Sequence, residues 1–289
     1  MSRCWRSPTA SASSGSDEPP TGQETGLSPI PADEAAWLAL IRRGQPPAWR
    51  LLAEGSSGGR LWEDSGVQAA IVPAAPDRSV FNSVFYRDSE RLLGSLQEIA
   101  RAYGEAGVRA WTVWVPEGDV DTAAGLERAG HKLDAAPRDM GMALSELREP
   151  EAGTDPNVEL TEREDYAAMA RLNEIAYGYP EGEFRAVAEA PMPGLRIYFA
   201  SLGGEDVATL GIWSHDGDAV VIWVATAPDA RGSGLSTRLL ARALADARSA
   251  GLETTTLQAT KLGRPVYERL GFRDFGAVQM WERRAEHSG

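Results

Sequence analysis

The clearest pattern along the chain is a nearly unbroken apolar run, Val220-Val221-Ile222-Trp223-Val224, then a glycine-rich turn, then apolar residues at helical spacing. Leu235, Leu239, Leu240, Ala243, Leu244 and Ala247 share one face of that helix, with Arg238, Arg242 and Asp246 opposite. This predicts a buried strand feeding a turn that opens an amphipathic helix, with Gly251 at its end. Upstream, Thr161 to Ile175 reads as a helix with Thr161 as N-cap and Glu164 three residues on. Glu181 to Ala190 reads as a second short helix. Arg196 to Leu202 and Val207 to Trp213 read as strands joined by the turn Gly203-Gly204-Glu205-Asp206, and His215 to Asp218 as another turn. Thr254 to Thr260, rich in β-branched residues, predicts a strand. Pro265 then opens a short helix that Gly271 stops, and Phe272 to Glu282 predicts the last strand.

The first half carries a similar order of elements. Asp33 to Arg43 reads as a helix, and Val67 to Pro73 and Asn82 to Phe85 as strands. Asp88 to Ala106 is a long helix with Leu92, Leu93, Leu96, Ile99, Ala100 and Tyr103 on its apolar face. Ala110 to Val115 reads as a strand, Asp121 to Ala129 as a helix, and Met140 to Leu147 as a last strand. Leu126-Glu127-Arg128-Ala129-Gly130-His131 echoes Tyr267-Glu268-Arg269-Leu270-Gly271-Phe272. The division expected is an extension over 1–32, a first domain over 33–147, a polar linker over 148–156 and a second domain over 157–285.

The turn in the second half reads Arg231-Gly232-Ser233-Gly234-Leu235-Ser236. The first turn of a helix has four backbone N–H groups without partners, and the helix dipole adds about half a positive charge there. Glycine has no Cβ, so an anion can approach the backbone closely. Arg231 adds a permanent charge on a planar donor fork. A pyrophosphate fits such a place; the alternative is a strand–turn–helix whose glycines serve only close packing. A Walker-type loop is excluded, because no Gly-Lys-Ser/Thr tripeptide occurs. The dinucleotide fingerprint fails too, with Thr237 where its third glycine belongs. Tyr267 reads either as a core tyrosine with a satisfied hydroxyl or as a functional phenol.

The glycine turn and the Tyr-x-x-x-Gly-Phe element, one helix and one strand apart, together resemble the GNAT superfamily of N-acetyltransferases. That family carries R/Q-x-x-G-x-G/A after its fourth strand; here Ser236 replaces the last small residue. The resemblance covers roughly residues 157 to 285 and implies an α+β fold around a mixed sheet flanked by helices. The first half is then a degenerate GNAT-like copy in a tandem arrangement. Its Tyr86-Arg87-Asp88-Ser89-Glu90-Arg91 turn lacks glycine and puts acids at a helix start, where they would repel a pyrophosphate.

The resemblance further implies acetyl-CoA as cosubstrate, lying between two splayed parallel strands, and no metal. Its pantetheine arm would pair with Val224, Ala225 and Thr226. Its pyrophosphate would rest on the amides of Arg231, Gly232, Ser233, Gly234, Leu235, Ser236 and Thr237. A primary amine would attack directly, a backbone N–H near Val224 would stabilise the oxyanion, and Tyr267 would act as general acid. The strand offers no glutamate between Asp218 and Asp229, so the candidate bases are His215, Glu174 and Glu183. The acceptor loop would bring Tyr177 and Tyr179 to stack on the acceptor and Glu181 or Glu183 to pair with an ammonium. The runner-up function is a non-catalytic acyl-CoA-binding sensor or regulator; transfer of a longer acyl group is a third.

Composition narrows the partners. The chain has 289 residues and a formal net charge of −13, which argues against non-specific nucleic-acid binding. An acidic surface favours cationic acceptors such as small-molecule or peptide amines. No apolar stretch approaches the roughly 18 residues needed to span a bilayer, so no membrane is expected and the location expected is cytoplasmic. The only cysteine is Cys4, so no intrachain disulfide forms. Residues 1 to 32, rich in Ser, Pro, Thr and Gly, are expected to be disordered. Arg3, Arg6 and the absence of acids up to Ser16 admit a transit peptide, with a plain flexible extension the simpler reading.

Overall fold

A computed structural model describes residues 30–151 and 155–285. The expectation of disorder over 1–32, together with Cys4, falls almost wholly outside the described residues. The elements of the first half are α1 (Glu34–Gly55), β1 (Arg60–Asp64), β2 (Val67–Ile71), β3 (Ser83–Tyr86), α2 (Ser89–Glu105), β4 (Ala110–Pro116), α3 (Val120–Arg128), β5 (Lys132–Ala135) and β6 (Arg138–Ala143). Those of the second half are β7 (Val158–Glu162), α4 (Tyr166–Tyr177), α5 (Glu183–Val187), β8 (Leu195–Leu202), β9 (Glu205–His215), β10 (Asp218–Thr226), α6 (Leu235–Ser249), β11 (Thr254–Ala259), α7 (Arg264–Leu270) and β12 (Arg273–Arg284).

The strands form one twelve-stranded mixed sheet in the order β1-β2-β3-β4-β12-β6-β11-β10-β9-β8-β7, with β5 beside β12. Helix α6 packs Leu239, Leu240, Ala243 and Leu244 on one face, beside α7, and α2 and α3 cover the first half of that face. Helices α1, α4 and α5 cover the other face.

The two halves are interleaved at the centre of the sheet. Strand β6, from the first half, pairs Arg138 to Ala143 antiparallel with Ala259 to Thr254 of β11. Strand β12 begins beside β6, bulges at Gly276 (φ 110°), and continues between β4 and β5. Each half thus completes the other's sheet with its last strand. Met140 and Met142 of β6 are fully buried in the core under α6 and α7.

Several boundaries differ from the expected ones. Helix α1 runs on through Pro46 and Pro47 to Gly55 instead of stopping at Arg43. Proline removes a backbone donor inside a helix, but Ala48 and Ala53 beyond it are buried, so packing extends the helix. Thr161 lies in β7 and does not cap a helix; Asp165 caps α4, accepting from the Ala168 N–H at 2.9 Å. Strand β6 ends at Ala143 in a 3₁₀ turn, short of Leu147.

Two carboxylates lie deep in the sheet. Asp218 accepts from the Thr254 hydroxyl at 2.8 Å and the Thr256 hydroxyl at 2.5 Å, tying β10 to β11. Asp139 accepts from Gln258 at 3.2 Å, with Arg42 of α1 3.8 Å from its other oxygen. Burial, only partly offset by these partners, pushes both carboxyls up to about 6. An acid with a raised folded pKa adds stability when protonated and loses that contribution as pH rises through the folded value. Denaturant titrations should therefore show stability rising by on the order of 1–3 kcal/mol from pH 7 to pH 5. Below about pH 4 the trend reverses, as carboxylates such as Glu162, held low by its hydrogen bonds from Arg196, take up protons. A flat profile between pH 7 and 5 would contradict the burial of these two groups.

Candidate active site

The cleft begins where two parallel strands part. Strands β10 and β11 pair only from Asp218 to Val220, opposite Thr254 to Thr256. Just beyond, β10 bulges: Ile222 pairs with Gly211 and Ala225 with Thr209, leaving Trp223 and Val224 opposite a single residue of β9. The bulge puts Trp223 at φ 54°, a left-handed conformation costing about 1–3 kcal/mol for a bulky residue. Its neighbours hold it there. The Trp223 ring meets Phe184 edge-on at 5.7 Å. Asn173, fully buried on α4, donates to the Met169 carbonyl at 3.0 Å and toward the Trp223 carbonyl at 3.5 Å. Nothing in the sequence reading singled out Asn173; the available signal was an amide on the apolar face of α4.

The glycine turn closes the mouth of this cleft. Gly232 and Gly234 have φ of 78° and 79°, which glycine adopts freely, and a Cβ at either would meet no atom within 4 Å. Among the described residues, the amide N–H groups from Gly232 to Thr237 donate to no backbone carbonyl, and no side chain caps α6. The turn is instead braced from behind. The Ser233 hydroxyl donates to the Ala230 carbonyl at 2.6 Å, and the Thr226 and Ser236 hydroxyls share a 2.5 Å hydrogen bond. Arg231 does not project freely: it donates to the Ala176 carbonyl at 2.7 Å and to the Thr226 carbonyl at 3.3 Å. Its charge stays at the turn while its donors link β10 to the end of α4.

The matching place in the first half is closed. Asp88 caps α2 by accepting from the Arg91 N–H at 2.8 Å. The Tyr86 hydroxyl donates to Asp119 at 2.6 Å, bridging the end of β3 to the start of α3.

Tyr267 of α7 is buried, with Phe272 edge-on at 5.7 Å. Among the described residues its hydroxyl makes no hydrogen bond. Burial, reinforced by the nearby Tyr177 phenol, holds its proton far more tightly than an ordinary tyrosine does. The group is therefore a phenol, and a donor, over the whole working pH range.

The expected acceptor residues separate. Tyr177 stacks on Tyr179 at 5.8 Å, and its hydroxyl donates to the Val224 carbonyl at 2.7 Å. Tyr179 packs on Phe81 and Phe184, under the guanidinium of Arg78. Glu183 is paired with Arg78 at 2.8 Å, whereas Glu181 is exposed.

The candidate bases fare differently again. Glu174 is buried and accepts from the N–H groups of Phe184 at 2.9 Å and Arg185 at 3.2 Å, so it fixes the start of α5. His215 stacks on Trp213 and lies across from Asp218, six residues of strand from Val224, roughly 20 Å away.

Among the described residues no group of three or more His, Cys, Asp or Glu side chains is placed to hold a metal ion, and no helix is long and apolar enough to cross a membrane.

Comparison with known proteins gives a consistent pattern. Residues 193–274 match the family model described as an acetyltransferase (GNAT) domain. No protein of curated function gives a significant match. Among solved structures, a GCN5-related N-acetyltransferase from Kribbella flavida aligns with a TM-score of 0.64 at 17% identity, over 86% of this chain and 97% of that one. A GCN5-related N-acetyltransferase from Sphaerobacter thermophilus aligns with a TM-score of 0.55 at 16% identity, over 89% and 94%. A tandem GNAT protein from the clavulanic acid biosynthesis pathway aligns with a TM-score of 0.51 at 14% identity, over 77% and 79%. At these identities the likeness is one of fold.

Proposed function

We propose that this chain, a GNAT protein of tandem build, is an acetyl-CoA-dependent N-acetyltransferase acting on a primary amine. The observation that carries the reading is the row of unclaimed amide donors from Gly232 to Thr237, at a helix start and open to solvent, beside two strands that part. Such a row suits a diphosphate. The cosubstrate supplies an activated thioester, whose carbonyl an unprotonated amine attacks as the thiolate departs.

This chain's residues do the rest. The amides from Gly232 to Thr237 hold the diphosphate, the Arg231 N–H being already given to the Pro228 carbonyl at 3.2 Å, and the β10 edge from Val224 to Thr226 aligns the pantetheine arm. The N–H groups of Trp223 and Val224 lie outside the β9 register. The Val224 N–H is the donor for the oxyanion, a contact worth on the order of 3 kcal/mol. Tyr267 donates a hydrogen bond to the leaving sulfur and yields its proton as negative charge accumulates there, and the proton shed by the attacking nitrogen passes through solvent to restore the phenol. The first half, 33–147, is a structural copy that takes no coenzyme.

Calorimetry with CoA and a thiol-release assay with acetyl-CoA against an amine panel test the reading. Gly234→Ala should fold, with about 1–2 kcal/mol of stability lost to an L-residue at φ 79°, but bind CoA at least tenfold more weakly by calorimetry, because its Cβ stands in the open seat. Unchanged affinity would remove the turn from the site. One observation favours a sensor as the second reading: each candidate base is engaged or distant. Binding of acetyl-CoA without CoA release in the presence of any amine would select it.

A further inference from the structure

The edge of β10 on which the cosubstrate would lie is already occupied by this chain's own donors. The Trp223 carbonyl faces Asn173, the Val224 carbonyl accepts from Tyr177, and the Thr226 carbonyl accepts from Arg231. Asn173 is buried and Arg231 is braced at two points, so both are fixtures. Tyr177 differs from them: it is the last residue of α4 and is 50% exposed. Gly178 follows it in a left-handed conformation, and a Cβ there would meet nothing within 4 Å. A side chain so placed can rotate away without disturbing the core. Its ring rests on Tyr179. Tyr177 therefore reaches from the end of α4 to the β10 edge.

We propose that Tyr177 is a latch on the cofactor edge, its hydroxyl holding the Val224 carbonyl until a pantetheine amide N–H displaces it. The inference rests on the acyl-CoA reading of the cleft, and assigns Tyr177 to the cosubstrate where the sequence assigned it to the acceptor. Binding exchanges one hydrogen bond for another at Val224, so part of the affinity available to the arm is used in opening the latch. The latch also keeps that carbonyl, beside the strained bulge, satisfied in the free protein. It acts only on the arm. The amides of the glycine turn lie further along and are untouched by Tyr177.

That separation gives the test. Tyr177→Phe keeps the ring and its stacking and deletes the hydroxyl alone. Calorimetry on the full chain compares two probes: CoA, which carries the arm, and adenosine 3′-phosphate 5′-diphosphate, which carries the phosphates without it. Tyr177→Phe should bind CoA about three- to tenfold more tightly than the wild type does, the worth of one net hydrogen bond, with the arm-free nucleotide unchanged. Equal or weaker CoA binding by the variant, with wild-type binding intact, overturns the latch and leaves the cleft assignment standing. A parallel gain for the arm-free nucleotide also overturns it, because the effect then lies at the phosphates. Failure of the wild-type chain to bind either probe sinks the acyl-CoA reading and the latch together.

Discussion

Replacing Tyr267 by phenylalanine should lower kcat about a hundredfold, while the KM for acetyl-CoA stays within about twofold. The size follows from the role of a positioned acid that meets the charge developing on the departing sulfur. The separation from stability follows from the structure. The ring is buried, and the hydroxyl makes no hydrogen bond among the described residues, so its removal leaves no protein partner stranded. Deleting a hydroxyl on which no protein group depends is close to neutral. Thermal melts of the variant should match or exceed those of the wild type, so lost turnover cannot be traced to lost fold. A variant with wild-type kcat would return Tyr267 to the ordinary core, as a ring packed on Phe272.

Residues 157–285 expressed alone should show no cooperative unfolding transition by circular dichroism. That fragment lacks β6, whose Arg138 to Ala143 form a ladder with β11 and meet the start of β12. Met140 and Met142 are each 0% exposed in the core beneath α6 and α7. Emptying such a site costs about 2–5 kcal/mol per side chain, against a total stability of about 5–15 kcal/mol. The loss of the ladder adds unpaired backbone groups on both flanking strands. Supplying residues 30–151 as a separate chain should restore a cooperative melt. A fragment that melts on its own near the temperature of the whole protein would show that β6 is dispensable.

Much of this fold is legible in the sequence because its signals are local. The helical spacing from Leu235 to Ala247, the Gly271 stop and the β-branched run from Thr254 each depend on neighbours within a few residues. Strands β1 and β5 escaped notice for a physical reason: both are largely exposed, and neither shows a run of apolar residues. The exchange of β6 and β12 leaves no mark on periodicity, since alternation reports which face is buried and not which strand lies alongside.

The site divides in the same way. The bare helix start is legible because glycines and a turn create it from one short segment. The cleft wall is not, because Tyr177 and Glu174 meet backbone groups of distant or separately folded segments, Val224 for one and the start of α5 for the other. A carboxylate that caps a helix and one that takes a proton look alike in a sequence.

The Asp88 cap on α2 and the Tyr86–Asp119 bridge set the two halves apart. On the proposed reading, the bare helix start of the second half is kept open for a visiting molecule, and a side chain that capped it would compete for that place. In the first half Asp88 already does so, and its helix start is satisfied from within the chain.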